Sequence, residues 1–174
     1  MPSASANTRA RLTSLLPLLQ LIGATFMAWR LLSLATNCAY PAMVVLSESM
    51  SPAFERGDVI FLSNWKEQVE VGDIPVMWFE DYRLPMVHRA IVVQYDDDGR
   101  QSILTKGDNN DRTDEALYPL GQTYVYREQV IGLVRGYVPY VGWITLAAQE
   151  LPWFKPLLAV GILVFSVFPG LRRY

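Results

Sequence analysis

The chain has 174 residues, 51% of them hydrophobic, and 15 basic against 17 acidic side chains leave a formal net charge of −2. This length suits one domain of ordinary size with appended segments, and the charge balance, without a basic patch, argues against a nucleic-acid partner. Cys38 is the single cysteine and His88 the single histidine. They exclude an internal disulfide, a multi-cysteine zinc site and a cluster of histidine ligands, so we expect no metal and no cofactor.

An apolar segment follows a short polar N-terminus. Leu12–Ala35 carries one charged side chain, Arg30, and a run of this length can cross the hydrocarbon core as a helix. It is longer than the apolar part of a cleaved targeting peptide, which favours an uncleaved anchor. Arg9 and Arg11 predict a cytoplasmic N-terminus by the positive-inside rule. The expected segments are a cytoplasmic N-terminus at 1–13 and a transmembrane signal-anchor helix at 14–36.

A hydroxyl-rich segment, Ser47–Pro52, lies about ten residues beyond the anchor and reads Ser-Glu-Ser-Met-Ser-Pro. Pro52 restricts its own φ angle and disfavours the α conformation at Ser51, which makes a helix interior a poor fit. The segment therefore predicts a shaped loop, and loops on a rigid scaffold commonly carry reactive groups. A serine-rich turn at a membrane exit is the other interpretation.

An antiparallel β domain is predicted over residues 37–140, because short apolar or alternating runs are separated by turn signals without a βαβ rhythm. Pro75 favours an edge position or a bulge for its strand. Asp96–Gly99 predicts a hairpin turn. The predicted strands are Val59–Leu62, Ile74–Phe79, Met86–Tyr95, Ser102–Lys106 and Val130–Val138, with Tyr124–Gln129 ambiguous.

The C-terminal part is apolar again. Pro156–Leu171 carries no charge and is followed by Arg172 and Arg173, but it falls just short of a comfortable membrane span. A shallow membrane helix, a helix packed on partner helices and a strained crossing all fit this pattern. We expect residues 141–174 to be a membrane-associated or partner-packing segment.

Several aromatic side chains are candidates for the membrane interface. Trp78 and Phe79 are expected to dip into it, with help from Trp65, Trp143 and Trp153, because aromatic rings favour the headgroup level. Burial in the core or contact with a partner is the other interpretation of these residues.

A nucleophilic site could be built from serine, histidine and aspartate. A serine hydroxyl needs a neighbouring base, which is usually oriented by a third group, and His88 is the only histidine in the chain. Strand alternation places His88 on the same face as Met86, Ala90 and Val92. A histidine buried and satisfied by a hydrogen bond would show the same pattern.

The third group of such a site has several candidates in a polar loop: Asp108, Asp111 and Asp114. Taken singly, each of these carboxylates is more commonly a solvated or Asx-turn residue. Triads are recognised by geometry and not by chain order. On the residues alone, a membrane-anchored binding domain is favoured slightly over a hydrolase.

Three separated motifs occur in a specific order. Ser47–Phe54 is followed by Arg56-Gly57-Asp58, then comes His88-Arg89, and then Thr105–Asn110 reads Thr-Lys-Gly-Asp-Asn-Asn. With these motifs the chain resembles the catalytic subunit of the endoplasmic-reticulum signal peptidase. The later segments Val130–Gly132 and Gly136–Pro139 fit the same pattern, so the resemblance covers nearly the whole chain.

The resemblance implies roles for particular residues. The second serine of Ser-x-Ser-Met is the family's nucleophile, which implies Ser49, and the histidine before arginine is its base, which implies His88; bacterial relatives use a lysine there. The triad aspartate precedes a Leu-Tyr pair, which implies Asp114, with Asp108 in reserve for the same role. Bacterial relatives build the oxyanion hole from two donors that correspond to the Ser49 N–H and the Ser47 hydroxyl.

The resemblance also implies a function. The chain would be a membrane-bound serine endopeptidase of the endoplasmic reticulum, with a lumenal catalytic domain, that removes N-terminal signal peptides after small residues at −3 and −1. Its partners would be preprotein signal sequences, other membrane subunits of a signal peptidase complex and the lipid bilayer, with no nucleic acid.

Two other functions stay open. A non-catalytic membrane-anchored β-domain subunit of such a complex would tolerate the loss of Ser49 or His88. A self-cleaving regulator of related β fold would normally need a base lysine and a scissile bond in a soluble partner domain, and neither is evident in the sequence.

Overall fold

The computed structural model describes residues 4–80, 82–96, 98–151, 153, 156–157 and 160, without the side chains of residues 4–12 and 14. Apart from residues 156, 157 and 160, the predicted apolar segment Pro156–Leu171 lies outside the described residues, as do Arg172 and Arg173. The expectations for its membrane topology therefore remain predictions.

A long helix, α1, runs from Ala4 to Thr36. It ends at the last residue of the predicted anchor but begins at Ala4 and not at residue 14. Within it, Leu15–Thr36 is long and apolar enough to cross a bilayer. Leu21 and Phe26 are among the many exposed apolar side chains along the helix, and a helix that is apolar all round is typical of a membrane span.

The end of α1 is bound to the β domain by three hydrogen bonds. The Asn64 N–H donates to Thr36 O (2.9 Å), and the Asn37 side-chain amide donates to Asn64 O (3.1 Å). The Trp65 indole N–H donates to Ala35 O (2.8 Å). The bonds to Thr36 O and Ala35 O satisfy carbonyls that a helix end leaves unpaired, and all three join the end of the helix to residues 64–65.

Among the described residues, eight strands form two antiparallel sheets, so the predicted fold class is confirmed. The strands are β1 Ala42–Val44, β2 Val59–Ser63, β3 Pro75–Met77, β4 Met86–Val87, β5 Arg89–Tyr95, β6 Gln101–Lys106, β7 Val125–Tyr126 and β8 Val130–Val138. The larger sheet has the order β1-β2-β8-β3-β4, and the smaller one has the order β5-β6-β7. Short 3-10 helices occupy Asp114–Leu117 and Arg127–Gln129, and the helix α2 spans Trp143–Glu150.

The core lies on both faces of the larger sheet. Successive strand residues point to opposite faces, and on β3 Val76 and Met77 are both fully buried but belong to different apolar clusters. Val76 packs with Met50 and Ile60, on the side of the hydroxyl-rich loop. Met77 belongs to the cluster on the side of the smaller sheet. This arrangement leaves the loop at 47–52 seated on a packed scaffold.

The predicted strand Met86–Tyr95 is wrong in one respect that matters for function. It is two strands, β4 and β5, which are divided at His88. A further bulge lies between Ala90 and Val92, which pair with the adjacent residues Thr105 and Leu104. Because a bulge inserts one residue, it exchanges the faces beyond it. His88 and Ala90 are buried whereas Val92 is exposed, so Val92 does not share the face of His88.

Of the two alternatives predicted for Pro75, an edge position or a bulge, the bulge is the one that the structure shows, whereas the interface prediction for Phe79 is wrong. Strand β3 is not at an edge, since it pairs with β8 on one side and β4 on the other. Pro75 is tolerated there as the first residue of its strand, and a register shift follows at Val76/Met77. Phe79 is 4% exposed and packs on Tyr118, so it lies in the core and not at a membrane interface.

Candidate active site

Ser49, His88 and Asp114 lie within hydrogen-bond reach of one another in series. The His88 Nε2 atom is 3.0 Å from Ser49 Oγ, and His88 Nδ1 is 2.6 Å from Asp114 Oδ2. An ionised carboxylate only accepts hydrogen bonds, so Nδ1 carries the ring proton and Nε2 is free to accept from the serine. The arrangement is that of a serine nucleophile, a base and a group that orients the base.

Three separate elements bring these side chains together. Ser49 lies in the loop after β1, His88 lies at the break between β4 and β5, and Asp114 is the first residue of a 3-10 helix. The break in the strand matters because it aims the His88 ring inward, where it is 5% exposed. Asp114 is 1% exposed and Ser49 is half-buried. The His88 imidazole is therefore shielded from water, while Ser49 opens to the surface.

The backbone of the nucleophile loop is held by the segment Gly107–Asn110. The Asn109 N–H donates to Ser49 O (2.9 Å), and the Asn109 side-chain amide donates to Glu48 O (3.2 Å). A Cβ atom at Gly107 would lie 2.6 Å from Ser49 O. Only a glycine permits so close an approach of two backbones.

The reserve candidate, Asp108, has a different partner. Its carboxylate receives two hydrogen bonds from the Arg89 guanidinium, at 2.8 and 2.6 Å. These bonds hold the pKa of Asp108 below its ordinary value and raise the pKa of Arg89. The pair connects the strand after His88 to the loop that holds Ser49. Asp111, the third candidate, is exposed, so of the three carboxylates Asp114 is the one that contacts the imidazole.

A second hydroxyl lies beside the nucleophile. Ser47 Oγ is 3.2 Å from Ser49 Oγ. Because the single hydrogen of Ser49 is directed to His88, Ser47 is the donor in this contact. An exposed hydroxyl at this distance can turn toward an oxyanion that forms on a substrate bound at Ser49.

An apolar groove of about 600 Å³ opens in front of Ser49. Its lining includes β1 with the residues after it, and also Leu84–Val87. Both β1 and β4 are edge strands of the larger sheet, so each has an unpaired backbone edge. The groove reaches Trp29 on α1 and thereby connects the site to the apolar helix. Within the described part of the chain, no three His, Cys, Asp or Glu side chains are grouped to hold a metal ion.

Sequence reasoning missed three parts of this site. The Thr105 hydroxyl donates to Asp114, and Tyr118 hydrogen-bonds Thr105 in turn. Both residues belong to motifs that carry the family resemblance, but the sequence assigned them no part in the site. Trp29 lines the groove from a helix that sequence alone treats as an anchor. No spacing rule connects residues so far apart in the chain, and only the tertiary arrangement brings them together.

Comparison with known proteins gives consistent relatives. No protein-family model matches the chain. The signal peptidase complex catalytic subunit SEC11 of Zygosaccharomyces rouxii is 42% identical over 161 residues, covering 92% of this chain and 96% of that protein. The subunit of the same name from Eremothecium gossypii is 42% identical over 165 residues, covering 94% and 98%. That of Aspergillus terreus is 37% identical over 177 residues, covering 91% and 93%.

Proposed function

Because the chain belongs to the family of signal peptidase complex catalytic subunits, we propose that it is the serine endopeptidase of such a complex. It removes N-terminal signal peptides from secretory and membrane proteins at the endoplasmic-reticulum membrane. The observation that carries the proposal is the continuous hydrogen-bond series from Ser49 through His88 to Asp114, at the mouth of an apolar groove. A non-catalytic subunit would have no need of this series.

The chemistry is acyl transfer through a serine ester. His88 Nε2 takes the proton of Ser49 Oγ as this oxygen bonds to the scissile carbonyl carbon, and the imidazolium then gives that proton to the leaving amine of the mature protein. A water molecule, activated by His88, attacks the ester, and the signal peptide leaves as a carboxylate with Ser49 regenerated. Asp114 holds the Nδ1–H tautomer and stabilises the imidazolium in each half-reaction.

The oxyanion that forms on the carbonyl needs donors. The Ser49 N–H and the Ser47 hydroxyl supply them, and a single well-placed donor lowers the barrier by about 3 kcal/mol. The position of the Ser47 hydroxyl beside Ser49 Oγ, at 3.2 Å, supports this assignment.

Substrate binding follows from the two edge strands that border the groove. An extended peptide lying between Val44 and Val87 can pair with either free edge, which is the general mode of β-strand addition. Side chains at −1 and −3 of an extended peptide point to the same side. Both therefore enter the apolar groove together, which favours small residues at these two positions.

The critical experiment is cleavage of a preprotein in vitro by the reconstituted complex. Ser49→Ala and His88→Ala each abolish cleavage while the complex still assembles, because nucleophile and base are both indispensable. Ser51→Ala is the matched control: it lies in the same loop, but its hydroxyl donates to Glu55 (2.9 Å) and not to His88, so cleavage continues. Cleavage that survives Ser49→Ala would refute the proposal and favour a non-catalytic subunit.

The orientation of the chain is part of the proposal. Arg9 and Arg11 before the apolar part of α1 favour a cytoplasmic N-terminus, which puts Ser49 on the lumenal side, where signal peptides are cut. In sealed microsomes, an N-terminal tag is digested by added protease and the β domain is protected. The reverse pattern would contradict this topology.

A further inference from the structure

The series of hydrogen bonds does not stop at Asp114. The Thr105 hydroxyl donates to Asp114 Oδ2 (2.7 Å), the oxygen that also accepts from His88. Tyr118 Oη is 2.9 Å from Thr105 Oγ1 and also accepts the Thr105 N–H at 2.9 Å. Thr105 and Tyr118 are both buried, at 0% and 5% exposure. Because both side chains are buried, bulk water does not compete for these hydrogen bonds. The series runs from Asp114 into the protein interior, away from Ser49.

The direction of every bond in this series follows from counting hydrogens. A carboxylate only accepts, so the one hydroxyl hydrogen of Thr105 is given to Asp114. Thr105 Oγ1 must then accept from Tyr118, which has one hydrogen of its own. Burial raises the pKa of Tyr118, which keeps the phenol protonated as the donor. The other possible acceptor for Thr105, Met77 Sδ, is at 3.8 Å and is weak.

Thr105 has particular importance because Asp114 has few other partners. Asp114 Oδ1 is buried without a hydrogen-bond partner among the described residues. Apart from the imidazole itself, the Thr105 hydroxyl is therefore the one side chain within the described part of the chain that hydrogen-bonds this carboxylate. If it were removed, the carboxylate could rotate about its bond to Cβ and the ring that it orients would follow.

We propose that Thr105 is a positioning residue of the catalytic site, which orients Asp114 for His88, and that Tyr118 fixes the hydroxyl direction of Thr105. The proposal rests on the proposed serine-protease function, since it concerns the orientation of the base. Thr105 contacts neither substrate nor reacting atoms and acts through Asp114. Tyr118 acts one bond further away, so its contribution is smaller.

The test is Thr105→Val, which removes the hydroxyl at nearly constant volume, in the reconstituted complex. The kcat per active site falls, by up to about a hundredfold, which is the loss that a small misplacement near the chemistry produces. KM stays unchanged because the groove is untouched. The rate at which a fluorophosphonate labels Ser49 falls by the same factor, and Thr105→Ser restores both rates. Tyr118→Phe lowers kcat by a few-fold only.

Thr113→Val is the matched control. This threonine adjoins Asp114, but its hydroxyl is directed to Glu115 at 3.4 Å, so its loss leaves kcat unchanged. Should Thr105→Val fail to assemble, Thr105→Cys replaces it, since a thiol is only a weak donor, and the same fall is expected. An unchanged kcat per labelled site in whichever variant assembles would overturn the proposal, as would a failure of Thr105→Ser to restore it. If Ser49→Ala also remained active, the proposed function would fail instead.

Discussion

The two halves of the proposed catalytic site are built in different ways. The half that carries the base consists of buried side chains joined by directional hydrogen bonds, from Tyr118 to His88. The half that carries the nucleophile is a half-exposed loop, which is held chiefly through its backbone by Gly107 and Asn109. The half with His88 and Asp114 can be buried because no substrate enters it. The half with Ser49 must stay accessible, so the Ser47 and Ser49 hydroxyls can contact a bound peptide.

This contrast predicts that the half with the base depends on one polar atom, Asp114 Oδ2, which accepts the hydrogen bond from His88 Nδ1. In Asp114→Asn, an amide replaces the acceptor of the Nδ1 proton, so the ring can take the tautomer that leaves Nε2 protonated and unable to accept. We expect kcat to fall by about 10⁴-fold, as in serine proteases in general, with assembly retained. Preprotein cleavage and active-site labelling measure the loss. A fall of less than tenfold would show that the base half is not organised as described.

In the nucleophile half, shape should matter more than charge. Gly107→Ala places a methyl group 2.6 Å from Ser49 O and against the Asn110 amide, so the loop must move. We expect a loss of stability of about 1–3 kcal/mol, which is typical of overpacking, and a fall in kcat of up to about a hundredfold from misplacement of Ser49. Thermal unfolding and single-turnover cleavage separate the two effects. Gly136→Ala is the control, because a Cβ there has open space and, as at Gly107, φ is not positive; it should change neither stability nor kcat appreciably.

The smallest effect is expected for the pair that connects the halves. Arg89 lowers the pKa of Asp108, so this carboxylate stabilises the fold fully above its unfolded pKa of about 3.9. The contribution is lost as pH falls through the lower, folded pKa. Because the pair is partly exposed, its contribution is about 1 kcal/mol or less. Asp108→Asn should therefore lower the unfolding midpoint at pH 7 by a few degrees.

The pH dependence provides the check on that prediction. The midpoints of the Asp108→Asn variant and the unmodified chain should converge as the pH falls below the lowered, folded-state pKa of Asp108, where the carboxyl is protonated in both states. A difference that stays constant down to this pH would show that the pair stabilises the fold by packing and not by charge.

The sequence predicted the parts of the fold that depend on local pattern. Val130–Val138 has its predicted bounds, and β5 and β6 form the predicted hairpin, with the Gly99 N–H donating to Asp96 O in the turn. It predicted less well where tertiary contacts override the pattern. His88 interrupts a run that alternates well enough to be one strand, and Phe79 follows a tryptophan and looks interfacial although it packs on Tyr118.

The site shows the same division. Ser49, His88 and Asp114 were candidates from residue type and motif, and the structure brings them together. The partner of each aspartate could not be read from the loop, because Asp108 and Asp114 differ in surroundings and not in local sequence. Thr105 was even less visible, since a threonine within a strand is ordinary until its hydroxyl is found beside a buried carboxylate.

The three hydrogen bonds between the end of α1 and residues 64–65 give the enzyme a geometric property of its own. In the proposed function α1 is the membrane anchor, so these bonds connect the position of Ser49 to that of the anchor in the bilayer. We therefore expect helix tilt, and with it bilayer thickness, to influence which peptide bond of the substrate reaches Ser49.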